Sequence, residues 1–487
     1  MVATPSMSRT GSPAQMPAHR LPGETLAPRV ARVTSDTPPA QRERLLPSAP
    51  GMAGDAASVL AAQIVALITG LASSIMTARV LGPSGRGIFA LVTLWVSLFA
   101  LAVPLSSGYG LIYNIRRSRA SFSQALSGAV GLAALLGGIA TGLAVAAALA
   151  FSRTFLSGVP LGYVVLGAAA LPAAVFNGLS GLALTGAGRV RQASAIMAAG
   201  SVIALVLLSI LLLALRLGVW GAVLASSLAS LLAAAITLVW LRRYVDPAVI
   251  MQPVLWLSSI RFGLKLHGGM IAQWANYSLD RFLINIYLGP GAVGIYAVAA
   301  TLAERLWMLP GAAGASLFSR TGGDAQDDAE ITARACRNTV WLMVGACAVV
   351  AALAPPLIPA IFGHQFSAAS RVLLLLLPGV LILTVGKVLA PYVCNRGRPI
   401  VATYISVGAL ALTIMLNLLL IPLIGIAGSA IASSISYGAN GIAFAVVFLR
   451  MSGLRGRELM RFPTGDLRNV GARGAKWAVA AIARVVP

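Results

Sequence analysis

The sequence predicts an all-α protein that crosses a membrane about twelve times, in two six-helix lobes. Three observations lead there. Of 487 residues, 58% are hydrophobic and only 10% are charged, and mean hydropathy is +0.87, which is more apolar surface than a soluble fold can hide from water. Apolar runs of 20 or more residues recur along the chain, each long enough to span roughly 30 Å of hydrocarbon. Finally, LGPSGRGIFA at Leu81–Ala90 returns as LGPGAVGIYA at Leu288–Ala297, 207 residues later, the mark of an internal duplication.

The first copy holds runs near 55–79, 88–113, 125–151, 160–185, 192–215 and 219–241. The second holds runs near 262–288, 291–318, 338–362, 370–394, 400–421 and 425–449. Six and six place both chain ends on one side. Further anchors follow in the same order: GVWGAVLASS (Gly218–Ser227) returns as GIAGSAIASS (Gly425–Ser434), and Leu171-Pro172 as Leu377-Pro378. The chain therefore divides into an N-lobe at 54–243, a linker at 244–261 and a C-lobe at 262–450. Residues 1–53, rich in Pro, Ser, Ala and Arg without apolar periodicity, read as a disordered cytoplasmic tail. No signal peptide is visible, because the first apolar run is too long for a cleaved one. The basic stretch 451–487 interleaves Arg455, Arg457 and Lys476 with Trp477 and Ile482, and reads either as a solvated tail or as one lying along the inner leaflet.

The net charge of +23 is distributed as a topology signal. Arg116, Arg117, Arg119, Arg189, Arg191, Arg242, Arg243, Arg261, Lys265, Arg320, Arg334, Arg337, Arg396 and Arg398 fall on alternate connections, while the others hold only Arg79, Arg86, Arg153, Arg216 and Arg371. That bias predicts cytoplasmic termini and argues against a nucleic-acid partner. Cys336, Cys347 and Cys394 show no CxxC spacing, and His19, His267 and His364 are scattered; neither a metal site nor a cofactor is expected. The connections on the outer side are short, which leaves no external domain for catalysis and argues against an enzyme.

Repeated motifs indicate architecture first. Gly82-Pro83 and Gly289-Pro290 end one helix, and Gly87 and Gly294 let the next pack closely. Pro104 and Pro310 occupy nearly matching places in the second and eighth helices and each removes a mid-span hydrogen bond, favouring a hinge or a cavity there.

Charges deep in the bilayer carry more information, since each costs at least about 2.5–3.5 kcal/mol to insert. Asp280 and Arg281 lie in the seventh helix, Glu304 and Arg305 in the eighth, and Lys387 in the tenth. All are in the second copy. Gln273, Asn276 and Asp280, spaced by three and four, share one helical face that should look inward. Arg281 is placed to meet Glu304 on the antiparallel eighth helix, and Arg305 to approach Asp280. Two readings stand. The charges are internal ion pairs that fix helix registry, or Arg281, Arg305 and Lys387, with Gln273 and Asn276, line a cationic cavity for a phosphate-bearing substrate. In the second case Asp280 and Glu304 become candidates for ion-coupled conformational change.

The segments ARVLGPSGRGIFAL at 78–91, LDRFLINIYLGPGAVGIYAVA at 279–299 and GRP at 397–399 resemble the polysaccharide transport branch of the multidrug/oligosaccharidyl-lipid/polysaccharide (MOP) flippase superfamily. This resemblance covers about residues 54–450. It implies two lobes related by an axis along the membrane normal, with a central cavity opening alternately to each side. It further implies an undecaprenyl-diphosphate-linked oligosaccharide as cargo, for O-antigen, capsule, exopolysaccharide or teichoic-acid assembly, with membrane lipids and other polysaccharide-assembly proteins as partners. Two alternatives within the superfamily remain. Lipid II flippases usually have fourteen helices and cations in the first lobe, neither of which is read here. Drug-extruding members usually carry a first-lobe acid, whereas Asp55 sits at the start of the first helix, where a cap is the simpler role.

Overall fold

A computed structural model describes residues 49–247, 250–320 and 325–460. The expected tails at 1–53 and 451–487 lie outside the described residues except at their inner ends. Every described element is a helix: α1 (Ala49–Ala102), α2 (Ser107–Arg116), α3 (Phe122–Phe151), α4 (Leu161–Ala168), α5 (Leu171–Gly186), α6 (Val190–Ser209), α7 (Gly218–Leu241), α8 (Pro253–Leu306), α9 (Met308–Arg320), α10 (Ala325–Phe362), α11 (Ser367–Asn395), α12 (Pro399–Ile424), α13 (Ile426–Ser452) and α14 (Arg457–Met460), with short π or 3-10 turns between some of them.

Among the described residues, ten segments are long and apolar enough to cross a membrane. Two of these are double. The 46-residue stretch Ala57–Ala102 would be about 69 Å long as one helix, more than twice the hydrocarbon thickness, and it breaks at Gly82 (φ 64°, ψ −178°). The stretch from Pro253 breaks at Gly289 (φ 77°, ψ 178°). Both glycines occupy a region closed to residues with a side chain, so the two copies of the turn share one backbone solution. Gly218 and Gly425, which open the second repeated motif, also match, at φ 58° and 64°. Counting each broken segment twice gives twelve crossings. Crossings 1 and 2 use α1 and α2; 3 is α3; 4 is α4 with α5; 5 is α6; 6 is α7; 7 and 8 use α8 and α9; 9 to 12 are α10 to α13.

Pro104 does more than kink crossing 2. The helix stops at Ala102, and Leu105 and Ser106 take φ values of 53° and 54° before it resumes at Ser107. Two consecutive L-residues in the left-handed region cost about 1 kcal/mol or more each. Crossing 8 breaks more mildly, at Trp307, three residues before Pro310.

With twelve crossings, the two ends of the membrane region share a face, called here the terminal face; Gly82 and Gly289 mark the opposite turn face. In the half toward the turn face, one apolar core runs through both lobes, from Leu91, Trp95 and Leu156 to Phe282, Tyr296, Phe362 and Leu373. Toward the terminal face the core divides. One cluster is built on Leu111, Leu132 and Phe176, another on Cys336, Val388, Tyr392 and Phe448. The apolar core is thus shared by both lobes at the turn face and divided between them toward the terminal face.

The stretch 244–261, expected as a linker, is helix from Pro253 onward, so crossing 7 begins earlier than the hydropathy pattern places it. Its first turns pack on the N-lobe: Leu255 joins the N-lobe cluster, Asn114 donates to Ser258 and Ser259 at 3.0 Å, and Phe262 stacks on Tyr113. Ser106, in the crossing 2 break, lies 3.1 Å from His267.

Candidate functional site: the charged gap between the lobes

Asp280 and Arg281 are adjacent on one helix, so their side chains diverge by about 100° and meet different surroundings. Asp280 is only 2% exposed. It accepts hydrogen bonds from Tyr296 Oη at 2.6 Å, from Ser433 Oγ at 3.3 Å and from the Arg281 amide at 2.8 Å. Those partners lie on crossings 7, 8 and 12, all in the C-lobe. Arg281 instead faces the gap and donates to Glu304 on crossing 8, the pairing that the sequence anticipates.

Arg305 departs from expectation. It makes no ion pair with Asp280, whose Oδ2 accepts from Tyr296 and Ser433 and whose Oδ1 accepts from the Arg281 amide; its guanidinium reaches across to crossing 1 and lies over Gly70, where any β-carbon would collide with it. Its Nε has no hydrogen-bond partner. Lys387 extends from crossing 10 and rests its ammonium 4.9 Å from the ring centroids of both Tyr277 and Trp307, close enough for cation–π attraction.

The polar stripe on crossing 7 also changes. Asn276, 2% exposed, accepts from Thr413 on crossing 11 at 2.7 Å, and so turns into the lobe with Asp280. Gln273 is exposed. The face that looks into the gap is one residue further on, through Tyr277 and Arg281, so a cavity-lining role for Asn276 has no geometric basis.

One cation was not legible as a site residue. Arg86, next to the first repeated turn, reads from sequence as a connection residue. In the structure it is 9% exposed, donates to Ser74 on crossing 1 at 3.3 Å and lies within electrostatic reach of Arg281 and Glu304. The available signal was a mismatch within the repeat, since its counterpart in the second copy is Val293. Four cations, Arg86, Arg281, Arg305 and Lys387, thus stand near two carboxylates, Glu304, which pairs with Arg281, and Asp280, which is hydrogen-bonded within the C-lobe. Tyr277, Asp280, Arg281, Tyr296, Glu304, Trp307 and Tyr437, all in the C-lobe, border space for little more than a water molecule. A larger void lies within the N-lobe between Gln63, Asn177, Gly181, Met197 and Ala233, and its wall has no charged residue.

The family model for polysaccharide biosynthesis proteins matches residues 76–371, more than half of the chain, and takes in both repeated turns. The chain belongs to this family. Among curated proteins, a probable low-salt glycan biosynthesis flippase, Agl15, of Haloferax volcanii is 23% identical over 183 residues, 37% of this chain and 38% of that protein's length. Among solved structures, an inward-facing multidrug resistance MATE transporter of the MOP superfamily matches with a TM-score of 0.66 at 18% identity, over 80% of this chain and 95% of the other. The lipid II flippase MurJ, in an inward closed conformation, matches with a TM-score of 0.68 at 12% identity, over 81% and 89%. This member of the polysaccharide biosynthesis family therefore shares the fold of those structures, that of a multi-pass membrane protein.

Proposed function

We propose that this protein moves a polyprenyl-diphosphate-linked oligosaccharide across the plasma membrane by alternating access, supplying cell-surface polysaccharide assembly. One observation carries this reading: cations on crossings 2, 7, 8 and 10 converge on the gap between the lobes, where Arg305 makes no ion pair among the described residues. A cation held in low dielectric without a counter-charge is costly, and a diphosphate entering the gap relieves that cost. Guanidinium groups suit it, because each offers two parallel N–H donors to phosphate oxygens. Arg281 exchanges Glu304 for a phosphate oxygen, and Glu304, the carboxylate facing the gap, becomes the coupling group. Asp280 holds crossings 7, 8 and 12 together.

The basic connections make the terminal face cytoplasmic. The split toward that face admits the headgroup while the polyprenyl chain stays in lipid, and rocking of the lobes then parts the turn face. The likeness to Agl15, a probable glycan biosynthesis flippase, and to MurJ, a lipid II flippase, supports the same reading. Four cations against two acids favour an anionic cargo over the organic cations of an efflux pump.

A leaflet assay tests the proposal. Purified protein is reconstituted into vesicles holding labelled undecaprenyl-diphosphate oligosaccharide, and accessibility of the label from the opposite side is followed. The expected result is protein-dependent movement that slows at least tenfold in Arg281→Glu, Arg305→Glu and Lys387→Glu variants, a transition-state loss of about 1.4 kcal/mol or more. Unchanged movement in all three rejects the cationic gap.

A further inference from the structure

Beside the charged layer lies a second one that the phosphate chemistry does not use. One helical turn toward the terminal face, Tyr277 on crossing 7, Trp307 on crossing 8 and Tyr437 on crossing 12 form a ring cluster. Tyr277 and Trp307 have centroids 4.6 Å apart, and Tyr437 stands edge-on at 5.7 Å and 5.5 Å from them. Lys387 caps the first two rings. Trp307 Nε1 is buried and has no hydrogen-bond partner. All three rings border the same small cavity as Arg281 and Glu304.

A packing role alone does not call for these residue types. A lobe wall surrounded by lipid is filled equally well by leucine or phenylalanine, whereas an indole and two phenols bring flat apolar faces edged by polar groups. That combination fits a pyranose, whose axial C–H bonds make an apolar face and whose hydroxyls lie around its rim. The unpaired indole N–H is a donor waiting for such a hydroxyl. The offset between the layers, about 5.4 Å per helical turn, is also the step from a diphosphate to the first sugar attached to it.

We propose that Tyr277, Trp307 and Tyr437 form the seat for the sugar ring next to the diphosphate, and that Lys387 occupies this seat until cargo arrives. On arrival the ammonium moves from the rings to a phosphate oxygen, a charge-assisted hydrogen bond stronger than its cation–π contact, and the vacated ring faces take the sugar. This inference rests on the cargo reading above.

Binding to the full-length protein in lipid nanodiscs tests it with three probes: undecaprenol, undecaprenyl diphosphate, and undecaprenyl diphosphate bearing one N-acetylglucosamine. The sugar-bearing lipid is expected to bind about three- to tenfold more tightly than the bare diphosphate, the range one stacking contact supplies. Trp307→Leu should abolish that preference, Trp307→Phe should keep most of it, and Trp220→Leu, on the exposed surface of the N-lobe, should leave it intact. A preference that survives both Trp307→Leu and Tyr277→Leu overturns the seat. So does a wild-type protein that holds the diphosphate but ignores the sugar, with the cargo reading left standing. If the diphosphate binds no better than undecaprenol, the cargo reading fails and the seat falls with it.

Discussion

Gly87 and Gly294 pack backbone against backbone where the two repeated turns meet. A β-carbon on Gly87 would overlap the Pro290 carbonyl, and one on Gly294 would overlap the Pro83 carbonyl. The contact is reciprocal, as a local two-fold relation between the copies requires, and it closes the turn face. Nearby, Asn285 donates to the Phe155 and Ser157 carbonyls at 3.1 and 3.0 Å, adding a polar tie across the same seam.

This closure can be trapped. The β-carbon position at Gly291 lies 3.4 Å from Ser84 Oγ, within the separation that a disulfide spans. In a background with Cys336, Cys347 and Cys394 replaced by Ala, a Ser84→Cys/Gly291→Cys pair is expected to cross-link on mild oxidation, arresting transport until a reductant is added. Cross-linked protein that transports at the wild-type rate would show that the turn face stays shut throughout the cycle.

Widening the same contact should open it. Gly87→Val or Gly294→Val cannot be accommodated without separating the turns, since the obstruction is backbone on both sides. A reporter cysteine at Ser84, read with a membrane-impermeant maleimide, should label several-fold faster in either variant. Unchanged labelling would mean that the turns separate little or not at all.

Arg79 supplies a latch with a smaller effect. From crossing 1 it donates to the Ala360 and Ile361 carbonyls at 2.5 and 2.6 Å, at the C-terminal end of α10, where a cation is favoured by the unpaired carbonyls and the helix dipole. Arg79→Ala should shift the equilibrium toward the open turn face by about 1 kcal/mol, roughly fivefold in the rate of cysteine labelling. Arg79→Lys should fall in between.

Pairing of Arg281 with Glu304 predicts non-additive stability. Removing either partner leaves the other charge in a poorly hydrated gap, so Arg281→Gln and Glu304→Gln should each lower the thermal midpoint, by about 2 kcal/mol in stability. The double variant should recover most of that loss, giving a coupling energy of about 3 kcal/mol. Additive losses would show that the pair is not coupled in the folded protein. If transport and its pH dependence also survive a combined Asp280→Asn/Glu304→Gln change, neither acid couples the cycle.

Much of this molecule could be read from one dimension. Lipid-spanning runs, repeated turns and charge bias are local properties, because a helix in hydrocarbon satisfies its own backbone and only glycine tolerates the backbone at Gly82 and Gly289. Crossing 7 marks where that reading stops. Periodicity found a polar stripe but could not say whether Asn276 and Asp280, or Tyr277 and Arg281, look into the gap, since the two faces differ by a single residue. Packing against Thr413, Tyr296 and Ser433 made the choice. Arg86 and Arg305 were decided in the same way. One reads as a connection residue and the other as a partner for Asp280, yet both stand at the gap because the lobes meet there. Sequence by itself determined where the described part of this chain runs through the membrane and which residues turn it back. Tertiary structure decided which charges share a space, because that depends on the rotation of each helix against neighbours far away in the chain.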